Sequence, residues 1–129
     1  MQHAEALALY DSDHAARQLE AMSAQAIDAL PFGVIRLDRE GLVKLYSTPE
    51  AEQSGFTHRP ALGLDFFEQV APCMNTPMMK GLIEQAWRDQ TLDIEIGWVG
   101  DLNDPNRAYA IRALSASDGG VWLMLNRDL

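Results

Sequence analysis

Alternating apolar and polar residues predict β-structure in the C-terminal third of the chain. In TLDIEIGWV, residues 91–99, apolar side chains occupy every second position and acidic residues stand between them (Leu92, Ile94, Ile96 and Trp98 against Asp93 and Glu95). A period of two is typical of a strand with one buried face. RAYAIRALS and GVWLMLNR follow as two more predicted strands, joined by a turn at residues 117–120.

Two shorter apolar runs predict a β-hairpin in the first half of the chain. FGVIRLD, residues 32–38, and LVKLYS, residues 42–47, are separated by the turn sequence DREG. The strands therefore come in the order β-β, then β-β-β. The predicted fold class is α+β, with a five-stranded antiparallel sheet and helices packed on one face. The space between sheet and helices is then the expected ligand pocket.

Helical segments are predicted before the hairpin. SDHAARQLEAM, residues 12–22, has Ser12 or Asp13 as its expected N-cap. SAQAIDAL is a second short helix that ends before Pro31. Residues 1–11 show no clear pattern, and we expect them to be partly ordered.

Two further helix starts lie between the hairpin and the last three strands. One is at residues 47–50 and the other, longer helix follows residues 75–77. Both starts combine Ser, Thr or Asn with a proline near the first turn. We expect an N-terminal helical cap over residues 1–28 and a core over residues 29–129, which together form a single domain.

The charge of the chain is strongly negative. Ten Lys and Arg stand against nineteen Asp and Glu, a net charge of −9 over 129 residues. This argues against nucleic acid and against an anionic membrane surface as partners, because both need clustered basic residues. We attribute the charge to solubility, and adaptation to high salt is a second interpretation.

The rest of the composition points to a cytoplasmic protein. No run approaches the ~18 uncharged apolar residues of a membrane helix, and the N-terminal segment lacks the basic start of a signal peptide. One cysteine, Cys73, excludes an internal disulfide and fits a reducing compartment.

Three polar residues are candidates for a binding site. Tyr46 ends a predicted strand, Glu50 lies four residues on, and Ser54 four beyond that. If residues 48–54 are helical, Glu50 and Ser54 share a face and Tyr46 can point into the same space. The alternative is local: Ser47-x-x-Glu50 matches a capping box, in which Glu50 would reach back to the Ser47 backbone N–H.

Cys73, in FFEQVAPCMNTP, allows several interpretations. It can be a small buried hydrophobe or an attachment point for a ligand. A catalytic thiolate would need a nearby histidine, and His3, His14 and His58 stand in no recognisable hydrolase motif. A metal site is poorly supported, because no second cysteine or Cys/His spacing is present. We expect no metal and no enzymatic activity.

The sequence FGVIRLDREGLVKLYSTPEAEQSG resembles the start of a PAS core, and together with GLDFFEQVAPC it resembles the photoactive yellow protein family. The resemblance runs without gaps from about Phe32 to Pro77. It implies a PAS fold and a covalent cofactor, 4-hydroxycinnamic acid (p-coumaric acid), as a thioester on Cys73. It also implies that Tyr46 and Glu50 hydrogen-bond the phenolic oxygen.

The same resemblance extends the expected site. Ser54 stands where the family usually has a threonine, and Phe56 where its best-known members have an arginine that covers the pocket. Phe66 and Pro72 complete the expected cofactor-binding residues. To donate to a phenolate, Glu50 must be neutral, which burial and the adjacent negative charge both favour.

The resemblance implies a blue-light photoreceptor. Light would isomerise the cofactor from trans to cis, and Glu50 would then pass its proton to the phenolate and become a buried carboxylate without a partner. Partial unfolding of the N-terminal helices would be the signalling state, read by an unidentified downstream protein. The alternative is a light-insensitive PAS sensor that binds a small ligand or a partner protein, and a cysteine-dependent enzyme comes third. We expect a monomer or weak dimer.

Overall fold

A five-stranded antiparallel sheet forms the centre of the computed structural model, which describes residues 3–54, 61–89, 91–100 and 104–127. The side chains of His3, Cys73, Ala86 and Asp89 are outside this description. The strands are β1 (Gly33–Leu37), β2 (Val43–Tyr46), β3 (Asp93–Val99), β4 (Ala108–Ser115) and β5 (Val121–Asn126), in the spatial order β2-β1-β5-β4-β3. All neighbouring strands are antiparallel. The predicted α+β class and strand count are confirmed.

The burial of each strand follows from its place in the sheet. β5 is central, and Val121 to Leu125 are all buried, as expected for a strand covered on both faces. β3 is an edge strand in which exposed and half-buried residues alternate. The alternation in the sequence therefore predicts β3 correctly, with Leu92, Ile94, Ile96 and Trp98 packed against the core.

Helices cover both faces of the sheet, whereas the sequence predicted one. The first face is covered by α4 (Thr48–Ser54), a π-helical turn (Phe66–Val70), a 3-10 turn (Pro72–Met74) and α5 (Pro77–Asp89). The opposite face packs against α1 (His3–Asp11), α2 (Ala15–Glu20) and α3 (Ala24–Asp28). Since side chains alternate along a strand, Ile35 contributes to the first cluster and Val34 to the second.

The N-terminal segment differs from the prediction in two respects. Residues 1–11 were expected to be only partly ordered, but α1 is a regular helix that buries Ala6, Leu9 and Tyr10. The N-cap of α2 is His14 rather than Ser12 or Asp13, and it makes no side-chain capping hydrogen bond. Ser12 Oγ instead accepts a hydrogen bond from the His14 backbone N–H at 3.0 Å, which stabilises the turn before the helix.

Arg112 fastens this segment to β4. Its guanidinium donates to both oxygens of Asp93, at 3.0 and 2.9 Å, and to the backbone carbonyls of Tyr10 and Ser12, at 2.6 and 2.7 Å. The hydrogen bonds and charge of Asp93 raise the pKa of Arg112 above its usual value. A planar guanidinium can serve four acceptors in this way, and an ammonium cannot.

The segment that carries Cys73 is ordered by local hydrogen bonds. Asp65 Oδ1 accepts from the backbone N–H groups of Phe67 and Glu68 and caps the π-helical turn. The 3-10 turn follows at once, and Cys73 is its middle residue. Thr76 Oγ1 then accepts from the Met79 N–H at 3.2 Å and starts α5, as the sequence predicted.

Candidate functional site

A narrow cavity lies between the first face of the sheet and the short helices. It has about 380 Å³ of empty space, of which only about 40 Å³ is wide enough for the centre of a water molecule. The larger value includes open solvent, whereas the smaller lies well below the ~300–1,000 Å³ of small-molecule sites, so the space is a narrow slot. Its lining is Ile35, Tyr46, Glu50, Ser54, Phe66, Val70, Ala71, Met74, Gly100, Tyr109, Leu125 and Arg127.

Tyr46, Glu50 and Ser54 meet at this cavity, as the spacing predicted. Tyr46 ends β2 and α4 begins two residues later, so one turn of helix separates Glu50 from Ser54. The Tyr46 hydroxyl and Ser54 Oγ are 3.0 Å apart and hydrogen-bonded. Glu50 is 2% exposed and Ser54 is also buried. The local sequence thus brings a phenol, a carboxyl group and a hydroxyl to one wall of the slot.

The capping box at the start of α4 is only half formed. Ser47 Oγ accepts from the Glu50 backbone N–H at 3.3 Å, and also from the Val34 N–H at 2.9 Å. The Glu50 carboxylate does not return to Ser47, because both its oxygens face the interior and accept hydrogen bonds from Arg127. The solvent-facing carboxylate of the capping interpretation is therefore wrong, and Glu50 is a buried group of the cavity.

Arg127 is the site residue that sequence reasoning missed. It follows β5, and its Nη1 and Nη2 atoms donate to Glu50 Oε1 and Oε2 at 2.6 and 3.0 Å. Its side chain is 1% exposed, and its guanidinium carbon lies 4.5 Å from the centroid of the Tyr109 ring. A signal was present: Leu123, Leu125 and Arg127 stand at alternate positions, so the arginine continues the cavity-facing side of the strand.

This pairing changes the expected charge of Glu50. A guanidinium that makes two hydrogen bonds to a carboxylate favours the ionised form. The expectation of a neutral Glu50 rested on burial and on the adjacent phenolate charge, and it did not include a buried cation. In the structure described here, Glu50 and Arg127 form a desolvated ion pair at the polar end of the cavity.

The remaining predicted site residues divide into three groups. Phe66 lines the cavity and stacks edge-on against Phe67, with ring centroids 5.2 Å apart. Pro72 begins the 3-10 turn and is exposed. The Cys73 backbone lies in that turn, between the cavity-lining Ala71 and Met74. The Cys73 side chain and all of Phe56 lie outside the described part of the chain.

The described residues form neither a metal centre nor a membrane-spanning helix. No group of three or more His, Cys, Asp or Glu there could hold a metal ion. None of the helices within the described ranges combines the length and the apolar character that crossing a bilayer demands.

Comparison with known proteins gives one consistent result. No protein-family model matches the chain. The chain is 28% identical over 119 residues to the photoactive yellow protein of Halochromatium salexigens, covering 92% of this chain and 95% of that protein. It is also 28% identical over 101 residues to the photoactive yellow protein of Rhodobacter capsulatus, covering 78% of this chain and 82% of that protein.

Solved structures agree with these relatives. The photoactive yellow protein domain of a sensor histidine kinase from Rhodospirillum centenum superposes with a TM-score of 0.76 at 29% identity, covering 85% of this chain and 97% of that one. The PAS domain of BvgS from Bordetella pertussis gives a TM-score of 0.63 at 20% identity, with 88% of each chain covered, and shows the fold alone. The predicted PAS fold and the resemblance to photoactive yellow proteins are confirmed.

Proposed function

We propose that this chain, which is similar to the photoactive yellow proteins in sequence and fold, is a blue-light photoreceptor with 4-hydroxycinnamic acid bound as a thioester to Cys73. One observation carries the proposal. The cavity is apolar along most of its length and has Tyr46, Glu50 and Ser54 together on one wall. A flat aromatic acyl group with a phenol at its far end needs that arrangement.

The residues around the cavity fit such a group at both ends. Ala71, just before the 3-10 turn, and Met74, next to Cys73 within it, both line the slot, which supports attachment at this position. The walls between are apolar, with Ile35, Phe66 and Leu125 among them, and they exclude water from the ligand. When bound, the cofactor would supply the absorption of blue light and a double bond that can isomerise from trans to cis.

The polar residues would orient the phenol end and handle its proton. Tyr46 would donate its O–H to the phenolic oxygen, while Ser54 Oγ, 3.0 Å away, accepts from or donates to the same hydroxyl and holds it in place. Glu50 is the group that exchanges a proton with the phenol, through Oε1 or Oε2. Since it lies at the start of α4 with its side chain buried, a change in its charge acts directly on this helix.

The N-terminal helices are the segment that we expect to respond. They pack on the face of the sheet opposite the cavity, as a separate hydrophobic cluster. A segment that packs on a separate cluster can open without disrupting the cluster on the other face of the sheet. Its release would be the signalling state, recognised by a downstream protein.

Reconstitution tests this proposal. Apoprotein mixed with an activated ester of 4-hydroxycinnamic acid should gain the mass of one acyl group, and peptide mapping should locate the increment at Cys73. The product should absorb in the visible or near ultraviolet, change under illumination and return in the dark. Cys73→Ala is the control and should gain no mass. A wild-type thiol that stays free under these conditions would favour the light-insensitive PAS sensor instead.

A further inference from the structure

Arg127 places a buried positive charge in the cavity. Among the described residues that line it, the ionisable groups are Tyr46 from β2, Glu50 from α4, Tyr109 from β4 and Arg127 after β5, and Arg127 is the cation of this set. His58, Arg59 and Asp101 lie outside the described residues. The Arg127 side chain is 1% exposed and the Glu50 side chain 3%, so solvent screens this pair little.

One buried guanidinium balances one buried negative charge. In the structure, that charge is the Glu50 carboxylate, which accepts two hydrogen bonds from Arg127. A phenol bound beside Glu50 adds a second acid. If both acids were ionised, the described residues of the cavity would leave one negative charge uncompensated, and such a charge is costly in a desolvated site. The two acids must therefore share a single proton.

We propose that Arg127 is the fixed counter-charge of this site, and that it sets how one proton is divided between Glu50 and the phenol of the bound ligand. This inference rests on the proposed function, because it requires a ligand with a phenol at that end of the cavity. The proton moves between Glu50 Oε and the phenolic oxygen, and Arg127 remains protonated in both states.

The geometry also gives the direction of the bias. Arg127 directs two N–H groups at the carboxylate and rests on the Tyr109 ring, which holds the guanidinium in this position. The ionised form of Glu50 is therefore favoured, and the proton is drawn towards the phenol. The sequence suggested that Glu50, once it has given up its proton, is a buried charge without a partner. In the structure Arg127 already pairs with it.

The first test needs no ligand. In apoprotein labelled with ¹³C at glutamate carboxyl carbons, the Glu50 signal, assigned with Glu50→Gln, should be that of a carboxylate at neutral pH. In Arg127→Gln it should become that of a protonated acid, since a buried carboxyl group without a cation is neutral. A protonated Glu50 in the wild type would overturn the inference and leave the proposed function untouched.

The second test uses the reconstituted protein. The phenol is titrated by absorbance, because its neutral and ionised forms absorb at different wavelengths. Glu50→Gln removes the competing anion and should lower the titration midpoint by about 1–3 pH units. Arg127→Gln lets Glu50 keep the shared proton and should shift the midpoint in the same direction. Arg36→Gln is the matched control: Arg36 also lies over an aromatic ring, that of Trp122, and pairs with a carboxylate, but on the opposite face of the sheet. Its midpoint should not move.

The outcomes are distinguishable. If Glu50→Gln raises the midpoint, Glu50 acts as a neutral donor and the bias is wrong. If Arg127→Gln does not fold, the shift of the midpoint in Glu50→Gln and the carboxyl signal of Glu50 in the wild type still show whether Glu50 is ionised. If no ligand attaches to any variant, the proposed function fails, while the apoprotein measurement still tests whether Arg127 holds Glu50 ionised.

Discussion

Gly33 lies directly against the carboxyl group of Glu50, and a Cβ atom built on Gly33 would overlap Glu50 Oε1. Gly33 begins β1, beside β5 in the sheet, so the absence of a side chain there leaves room for the Glu50–Arg127 pair. The glycine is required by this close approach rather than by an unusual backbone conformation.

Gly33→Ala should therefore displace Glu50 and weaken its pairing with Arg127. We expect a loss of about 1–3 kcal/mol in the free energy of unfolding, as for an overpacked core, measured by urea denaturation. Gly81→Ala is the control, because nothing lies within 4 Å of a Cβ at that position in α5. It should stabilise the protein by about 0.5–1 kcal/mol. Equal effects of the two changes would contradict the proposed contact.

Tyr109 should support Arg127 through its ring more than through its hydroxyl. The ring centroid lies 4.5 Å from the guanidinium carbon, and the hydroxyl donates to the Gly100 carbonyl at 3.1 Å. Tyr109→Phe should lower the free energy of unfolding by about 1 kcal/mol and leave the midpoint of the phenol titration in reconstituted protein unchanged. Tyr109→Leu should cost a further ~1–2 kcal/mol and move the midpoint in the same direction as Arg127→Gln. A shift with Phe as large as with Leu would show that the hydroxyl is the important group.

Glu20 should make stability depend on acid pH. Partial burial raises the pKa of its carboxyl, but hydrogen bonds from Ser117 and Trp122 and the charge of Arg36 outweigh this, so the pKa lies below its usual value. A carboxyl group whose pKa is lower in the folded state stabilises the fold at pH values above its unfolded-state pKa of ~4.3. This stabilisation is lost as the pH falls through the folded-state pKa.

The measurement is urea denaturation of wild type and Glu20→Gln at a series of pH values. Glu20→Gln should be less stable by about 1–2 kcal/mol at pH 7, and the difference should shrink below a pH of ~4. Glu84→Gln, an exposed change on α5, should change stability little at any pH. A Glu20→Gln deficit that persists undiminished to pH ~2.5 would rule out the charge as its cause.

Arg112 should control the opening of the N-terminal helices. Arg112→Lys cannot keep the two bonds to Asp93 together with those to the Tyr10 and Ser12 carbonyls. Amide hydrogen exchange in residues 3–20 should become roughly tenfold faster or more, which corresponds to about 1.4 kcal/mol. Exchange in β1 and β5 should change less. Arg17→Lys, at an exposed position of α2, should have no such effect, and equal acceleration in both variants would count against the role of Arg112.

Local patterns in the sequence were sufficient for most of the fold. The alternation in β3, and the short apolar runs of β1 and β2, each depend on neighbours two residues apart, so the sequence contains the whole signal. Helix α1 was missed for the opposite reason. Its buried residues, Ala6, Leu9 and Tyr10, are few, and nothing at its start resembles a cap. That these residues form one buried face of the helix becomes evident only from their packing against the sheet.

The site was predictable as far as its groups are close in sequence. Tyr46, Glu50 and Ser54 fall within nine residues, and one strand end plus one helical turn brings them together. The partner of Glu50 is 77 positions away, and no local rule connects the two. Ser47-x-x-Glu50 also fits a cap, and the burial of the carboxylate, which decides between the two interpretations, is a property of the folded chain.

Arg127 also bears on how the sheet assembles. β5 is the central strand, and Leu123 and Leu125 within it and Arg127 just after it all face the cavity side. A slip of one residue would send the guanidinium to the layer under the N-terminal helices, away from Glu50. A buried cation separated from its carboxylate costs several kcal/mol. The sheet in which β5 is shifted by one residue is therefore less stable than the correctly paired sheet. The residue that balances charge in the cavity thereby also selects the correct alignment of the sheet.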